Sequence, residues 1–77
     1  MILVIFASPT SAFDIQVVNQ EGVTIDKCSS TYEDMRYTLD KLVQKHQIEK
    51  AMVFGPAAFT SKVIQGLQQH YDFPISD

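Results

Sequence analysis

The sequence has no tryptophan, one cysteine, three glycines and three prolines in 77 residues. The lone thiol, Cys28, cannot close an internal disulfide, so no covalent staple supplements the core; an unpaired cysteine also fits a reducing cytoplasm better than secretion. Cations are scarce as well: six Lys and Arg stand against nine Asp and Glu, for a formal net charge of −3. Lys27, Arg36, Lys41, Lys45, Lys50 and Lys62 are scattered among carboxylates. That spacing argues against the clustered basic face that a general nucleic-acid binder uses to neutralise phosphates. The opening apolar run ends at Ala7 with no basic residue before it, too short for a membrane span and unlike an ordinary secretory leader. No repeat, low-complexity tract or linker interrupts the chain, so one folding unit over 1–77, located in the cytoplasm, is the expectation.

What the sequence does have is apolar content, 45% of residues. A chain this short hides only about 60% of its unfolded surface, and association is a common way to bury more. Ile2–Ala7, ILVIFA, is apolar at every position rather than at alternate ones. Because successive strand side chains point to opposite faces, this reads as a central strand covered on both sides. Ala51–Phe54, AMVF, closed by Gly55 and Pro56, is the only other segment of this kind.

Between them the period changes twice. Ser8–Ala12 is a small, polar, proline-containing turn. Phe13–Val18 and Val23–Cys28 alternate as half-buried strands around the turn Asn19–Gly22, giving an antiparallel meander of three strands. Ser29–Thr31 then opens a helix, with Ser30 and Glu33 forming a capping-box pattern and Thr31 and Asp34 an alternative one. Tyr32, Met35, Leu39, Leu42, Val43 and His46 recur at helical spacing, and the helix ends near His46 or Gln47. Strand, helix and buried strand make a right-handed crossover, so Ala51–Phe54 should pair parallel to Ile2–Ala7. A second helix spans roughly Ala57–His70, with Phe59, Val63, Ile64, Leu67 and Tyr71 as its stripe; Gly66 inside it hints at close packing. The tail Phe73–Ile75 reads as a short edge strand or a loose end. The fold class is therefore α/β: a mixed four- to five-stranded sheet with two helices, in the order 3-2-1-4(-5).

That order, and MILVIFASPTSAFDIQVV as an opening hairpin, resemble the core of the ribonuclease H-like superfamily, which includes resolvase-like nucleases and actin-like ATPase halves. In nucleases of that superfamily the first strand supplies a metal-binding aspartate near the position that here reads Phe6. The resemblance thus implies a fold without a nuclease centre, since two-metal cleavage needs several converging carboxylates. Asp14 and Asp26 are the nearest substitutes, on strand positions that look exposed.

Two readings of function from different classes remain. The first is a small phosphate or nucleotide pocket built from Ser8, Thr10, Gly55 and Thr60. These residues follow two parallel strands at the edge where α/β sheets bind ligands, although Pro56 removes one amide donor and no glycine-rich phosphate motif is present. The second is protein binding without catalysis. Two helices can cover only one sheet face, so Ile2, Val4 and Phe6, or else Leu3, Ile5 and Ala7, should stay exposed unless the second helix crosses over. A homodimer burying that surface or joining sheet edges would supply the missing core, with a further protein partner left unspecified. Tyr37 lies outside the stripe of its helix and is a further contact candidate. His46 and His70 read as helix-end caps or solvated groups, and Cys28 as packing. No cofactor or metal is expected, and the small acidic format resembles accessory proteins carried by bacteria and their phages.

Overall fold

The computed structural model describes residues 1–77 as one mixed sheet with two helices. The elements are β1 (Ile2–Phe6), β2 (Phe13–Val18), β3 (Thr24–Ser30), α1 (Met35–Lys45), β4 (Lys50–Phe54), α2 (Ala57–Gln68) and β5 (Ile75–Ser76). The strand order is β3-β2-β1-β4-β5, as the periodicity requires. β1 pairs antiparallel with β2 and parallel with β4 over its whole length, Phe6 lying opposite Asp14 on one side and Phe54 on the other. The tail forms a fifth strand of two residues, pairing Ile75 with Ala51 and Ser76 with Met52.

Pleating divides the sheet cleanly. Leu3, Ile5 and Ala7 of the first strand and its extension point to one face, with Phe13, Ile15, Val17, Ala51, Val53 and Ile75. All are buried, in one cluster with Met35, Leu39 and Leu42 of α1 and Val63 and Leu67 of α2. Both helices therefore lie on the same face. The sheet row of opposite parity, Ile2, Val4 and Phe6 with Met52 and Phe54, receives no helix, and Phe6 and Phe54 remain 43% and 40% exposed. The expectation of cover above and below β1 is thus corrected: it is flanked on both edges, but the folded chain shields it from one side only. The crossover helix and the return helix both pack on the Leu3, Ile5 and Ala7 side.

Boundaries shift where side chains compete with the backbone. The Asn19 carboxamide oxygen accepts from the N–H groups of Glu21 and Val23, at 2.9 and 3.0 Å, so β3 begins at Thr24 rather than Val23 and continues to Ser30. A register shift beside Val17 and Val18 places a bulge in this pairing. The helix after it starts at Met35, later than the Ser29–Thr31 signal implies, because residues 32–34 form a turn. Of the two capping patterns the structure uses Thr31, whose hydroxyl accepts from the Asp34 N–H at 3.2 Å, while Ser30 donates to the Thr31 carbonyl.

The ends of β1 and β4 meet closely. The Ala7 N–H donates to the Phe54 carbonyl at 2.7 Å, and Gly55 follows at φ +150°. A Cβ at Gly55 would stand 2.5 Å from the Ala7 carbonyl oxygen. Glycine is required here by both conformation and space. Gly66 is the opposite case: nothing lies within 4 Å of where its Cβ would be, so the close packing anticipated around it is absent.

The two glycines should therefore respond with opposite sign. Gly55→Ala is expected to cost about 2 kcal/mol or more, through strain and the clash with the backbone, whereas Gly66→Ala should stabilise by about 1 kcal/mol, the helix-propensity difference. Urea unfolding of both variants, read by circular dichroism, checks the pair.

Candidate functional site

The four residues of the anticipated phosphate pocket do not form one cavity. Ser8 and Thr10 line a shallow concavity of about 400 Å³ with Tyr32 and Phe59, and neither Gly55 nor Thr60 takes part in its wall. Thr60 is buried, and its hydroxyl donates back to the Ala57 carbonyl at 3.1 Å, while its methyl group faces Gly55. The Ser8 hydroxyl oxygen accepts from the Ser11 hydroxyl at 2.9 Å and from the Thr10 N–H at 3.4 Å. The hydroxyls of Ser8, Ser11 and Thr60 thus engage their own surroundings. In α2 no side chain caps the N-terminus, and the Phe59 and Thr60 N–H groups both donate to the Pro56 carbonyl.

The predicted contact residues separate into two surfaces. Ile2, Val4 and Phe6 form one continuous row on the open sheet face. Register extends it: Met52 lies opposite Val4 and Phe54 opposite Phe6, with the two phenyl rings stacked at 5.5 Å between centroids and 23° between planes. Val18 stands opposite Ile2 on the other side. Met52 and Phe54 are contact candidates that the sequence reading missed, although the continuous apolarity of AMVF carried the same signal as that of β1. Charge is sparse on this face: Asp14 beside Phe6, Lys50 beside Ile2, and Lys27 opposite Gln16. Tyr37 is 65% exposed with the Lys41 ammonium 4.3 Å from its ring centre, but it belongs to α1, which packs on the other face of the sheet. It cannot share a contact surface with Phe6 on the same partner face.

The histidines are tied rather than free. His46 Nε2 lies 3.0 Å from Asp26 Oδ2, joined by the Lys45 ammonium at 3.4 Å. The hydrogen bond with His46, followed by one from the Lys27 N–H, holds the Asp26 carboxyl below the usual carboxylate range. Asp26 is therefore an anchor between β3 and the end of α1 rather than the exposed strand residue it resembled. Burial raises the Cys28 thiol pKa, and the Asp26 charge adds to it, which disfavours the thiolate that a nucleophile needs. No group of three or more His, Cys, Asp or Glu side chains converges anywhere in the structure.

At the other end of the helical layer, Asp40 Oδ1 accepts from the Tyr71 hydroxyl at 2.6 Å and from His70 Nε2 at 3.2 Å. Arg36 donates to His70 Nδ1 at 2.7 Å, which leaves the ring proton on Nε2. This chain of four side chains joins α1 to the end of α2. It ties the two helices together, with the Tyr71 hydroxyl and the His70 ring both bound to Asp40. The Tyr71 bond, and to a smaller extent that from His70, lowers the Asp40 pKa; burial, then the Asp40 carboxylate, raises that of Tyr71 well above its ordinary value.

The pH response follows with a definite sign. The Tyr71 hydroxyl ionises more readily in the unfolded chain, so its contribution is full below about pH 10 and is lost as pH rises further; Asp40 contributes above about pH 4 and its share is lost on acidification. Tyr71→Phe should flatten the alkaline fall in melting temperature, and Asp40→Asn should lower the melting temperature near neutrality while flattening its acid fall. Thermal scans across pH read both.

No helix is long and apolar enough to cross a membrane. With this geometry in view, comparison of the chain with protein-family models, with curated proteins and with solved structures found no match, so its function must be argued from its own surfaces.

Proposed function

We propose that this chain is a non-enzymatic, cytoplasmic accessory protein that acts by binding other protein, and that it does so as a homodimer assembled on the open face of its sheet. One observation carries the reading. The strand that forms the middle of the sheet is apolar on both faces, yet its Phe6 stands 43% exposed beside an equally uncovered Phe54. Single exposed apolar residues are ordinary on a protein surface; a contiguous row of Ile2, Val4, Phe6, Met52 and Phe54 on a rigid sheet is not. Aromatic and methionine side chains are also the types enriched where proteins meet. A small chain gains most from such a contact, because its own core is limited.

The strand order supports a kinship of fold with the ribonuclease H-like core, without its chemistry, since Phe6 stands where a nuclease of that kind would place a carboxylate. A pocket that could hold a nucleotide finds less support. The hydroxyls of Ser8 and Thr60 are turned to protein partners, and Gly55 and Thr60 lie outside the concavity beside Ser8 and Thr10.

Sedimentation velocity over about a hundredfold range of concentration should show reversible dimerisation. Phe6→Asp should weaken it by about thirtyfold, the loss of an anchoring aromatic worth about 2 kcal/mol, while leaving the circular dichroism spectrum unchanged. A protein that stays monomeric throughout, yet melts higher with one member of a nucleotide panel, would replace this reading with the ligand-binding one.

A further inference from the structure

We propose that the second copy packs face to face about a two-fold axis passing beside Val4, and that Asp14 of each copy faces Lys50 of the other. The inference rests on the homodimer reading and specifies how the two copies meet.

The sheet edges are poorly built for the alternative, strand-to-strand joining. β5 offers only two residues and follows Pro74, which has no N–H to donate. β3 is longer, but it carries the bulge beside Val17 and Val18, exposed Lys27, and the Asp26 carboxylate held by Lys45 and His46. Bulges and charges of this kind discourage edge pairing. Packing through the face needs no unpaired backbone edge, and its charged residues stand around an apolar row of Ile2, Val4, Phe6, Met52 and Phe54.

Its charges supply the orientation. Asp14 lies on β2 opposite Phe6, at one end of β1, and Lys50 lies on β4 opposite Ile2, at the other end. Val4 sits midway, flanked by Gln16 and Met52. The carboxylate and the ammonium thus stand at diagonally opposite corners, separated by about 10 Å across two strand spacings and about 13 Å along four residues. A two-fold axis lying in the contact plane, through the centre and perpendicular to that diagonal, exchanges the corners and brings each charge towards its opposite. The same operation lays Phe6 of one copy over Met52 of the other and brings the two Phe54 side chains together beside the axis. The strands of the two sheets then cross steeply, within the orthogonal class of sheet packing. An isologous contact requires a patch complementary to itself, and a diagonal of opposite charges around an apolar centre meets that condition. Lys27, on the edge strand opposite Gln16, falls outside the exchanged pair.

The experiment is sedimentation equilibrium on the full chain at low ionic strength, comparing wild type with Asp14→Lys, Lys50→Asp, the double variant carrying both, and Phe6→Asp, each checked for folding by circular dichroism. Each single reversal is expected to weaken self-association by roughly tenfold, because two symmetric attractions become repulsions, and the double variant should recover to within about threefold of wild type. A dimer that Phe6→Asp disrupts, but in which the double variant is no stronger than the weaker single one, overturns the two-fold arrangement and leaves the face reading standing. A wild-type chain that stays monomeric overturns both.

Discussion

The structure depends on hydrogen bonding of one strand from both sides. β1 is held by β2 and β4 along its full length, so its backbone is satisfied within the sheet, and its side chains must find cover above and below by packing alone. The covered side is complete: Leu3, Ile5 and Ala7 join a single cluster with both helices. The other side is finished only as far as its sheet neighbours reach. That asymmetry follows from the placement of the helices, since the crossover helix and the return helix pack on the same side. It places apolar side chains at the surface of the central strands, whose backbone is hydrogen-bonded along both edges of β1.

The polar groups do the reverse work and hold the helical layer in place. Asp26 ties β3 to the end of α1 through His46 and Lys45, and Asp40 ties α1 to the end of α2 through His70 and Tyr71. Each carboxylate has more than one donor; Cys28 lines the same concavity as Asp26 and Lys45, where burial and the Asp26 charge disfavour its thiolate. Side chains that would be candidates for catalysis on composition alone are consumed in positioning the layer. What the surface offers to another molecule is chiefly shape and apolar area on the opposite side.

The sheet order was legible because its signals are periodic. Continuous apolarity in ILVIFA and AMVF marks central strands, alternation in FDIQVV marks a half-covered one, and a buried strand on each side of a helix implies parallel pairing. The prediction that one face would stay open was also legible, from counting helices against faces, but which face was not; pleat parity is shared by both, and only the packed helices choose between them. Short-range competition hid the rest. Asn19 reaches its own turn and delays β3, and Thr31 caps a turn rather than the helix itself, moving the helix start to Met35. The Asp26–His46 and Asp40–Tyr71 contacts join residues 20 and 31 positions apart, beyond any local pattern. The hydroxyls of Ser8 and Thr60 read as free for a ligand because a sequence does not show which hydroxyls already have partners.

The two-residue β5 has a consequence for how the molecule breathes. Its attachment consists of pairing with β4 at Ala51 and Met52, a bond from the Gln68 carboxamide to the Ile75 carbonyl at 3.1 Å, and the buried Ile75 side chain, with Phe73 stacked on Tyr71 just before it. A two-residue strand paired on one side only opens at far lower cost than the centre of a sheet. β5 thus covers the outer edge of β4, and its release would bare the Ala51 N–H, which otherwise donates to the Pro74 carbonyl at 2.9 Å. In amide exchange, this margin would be the first to pick up deuterium while β1 stays protected longest.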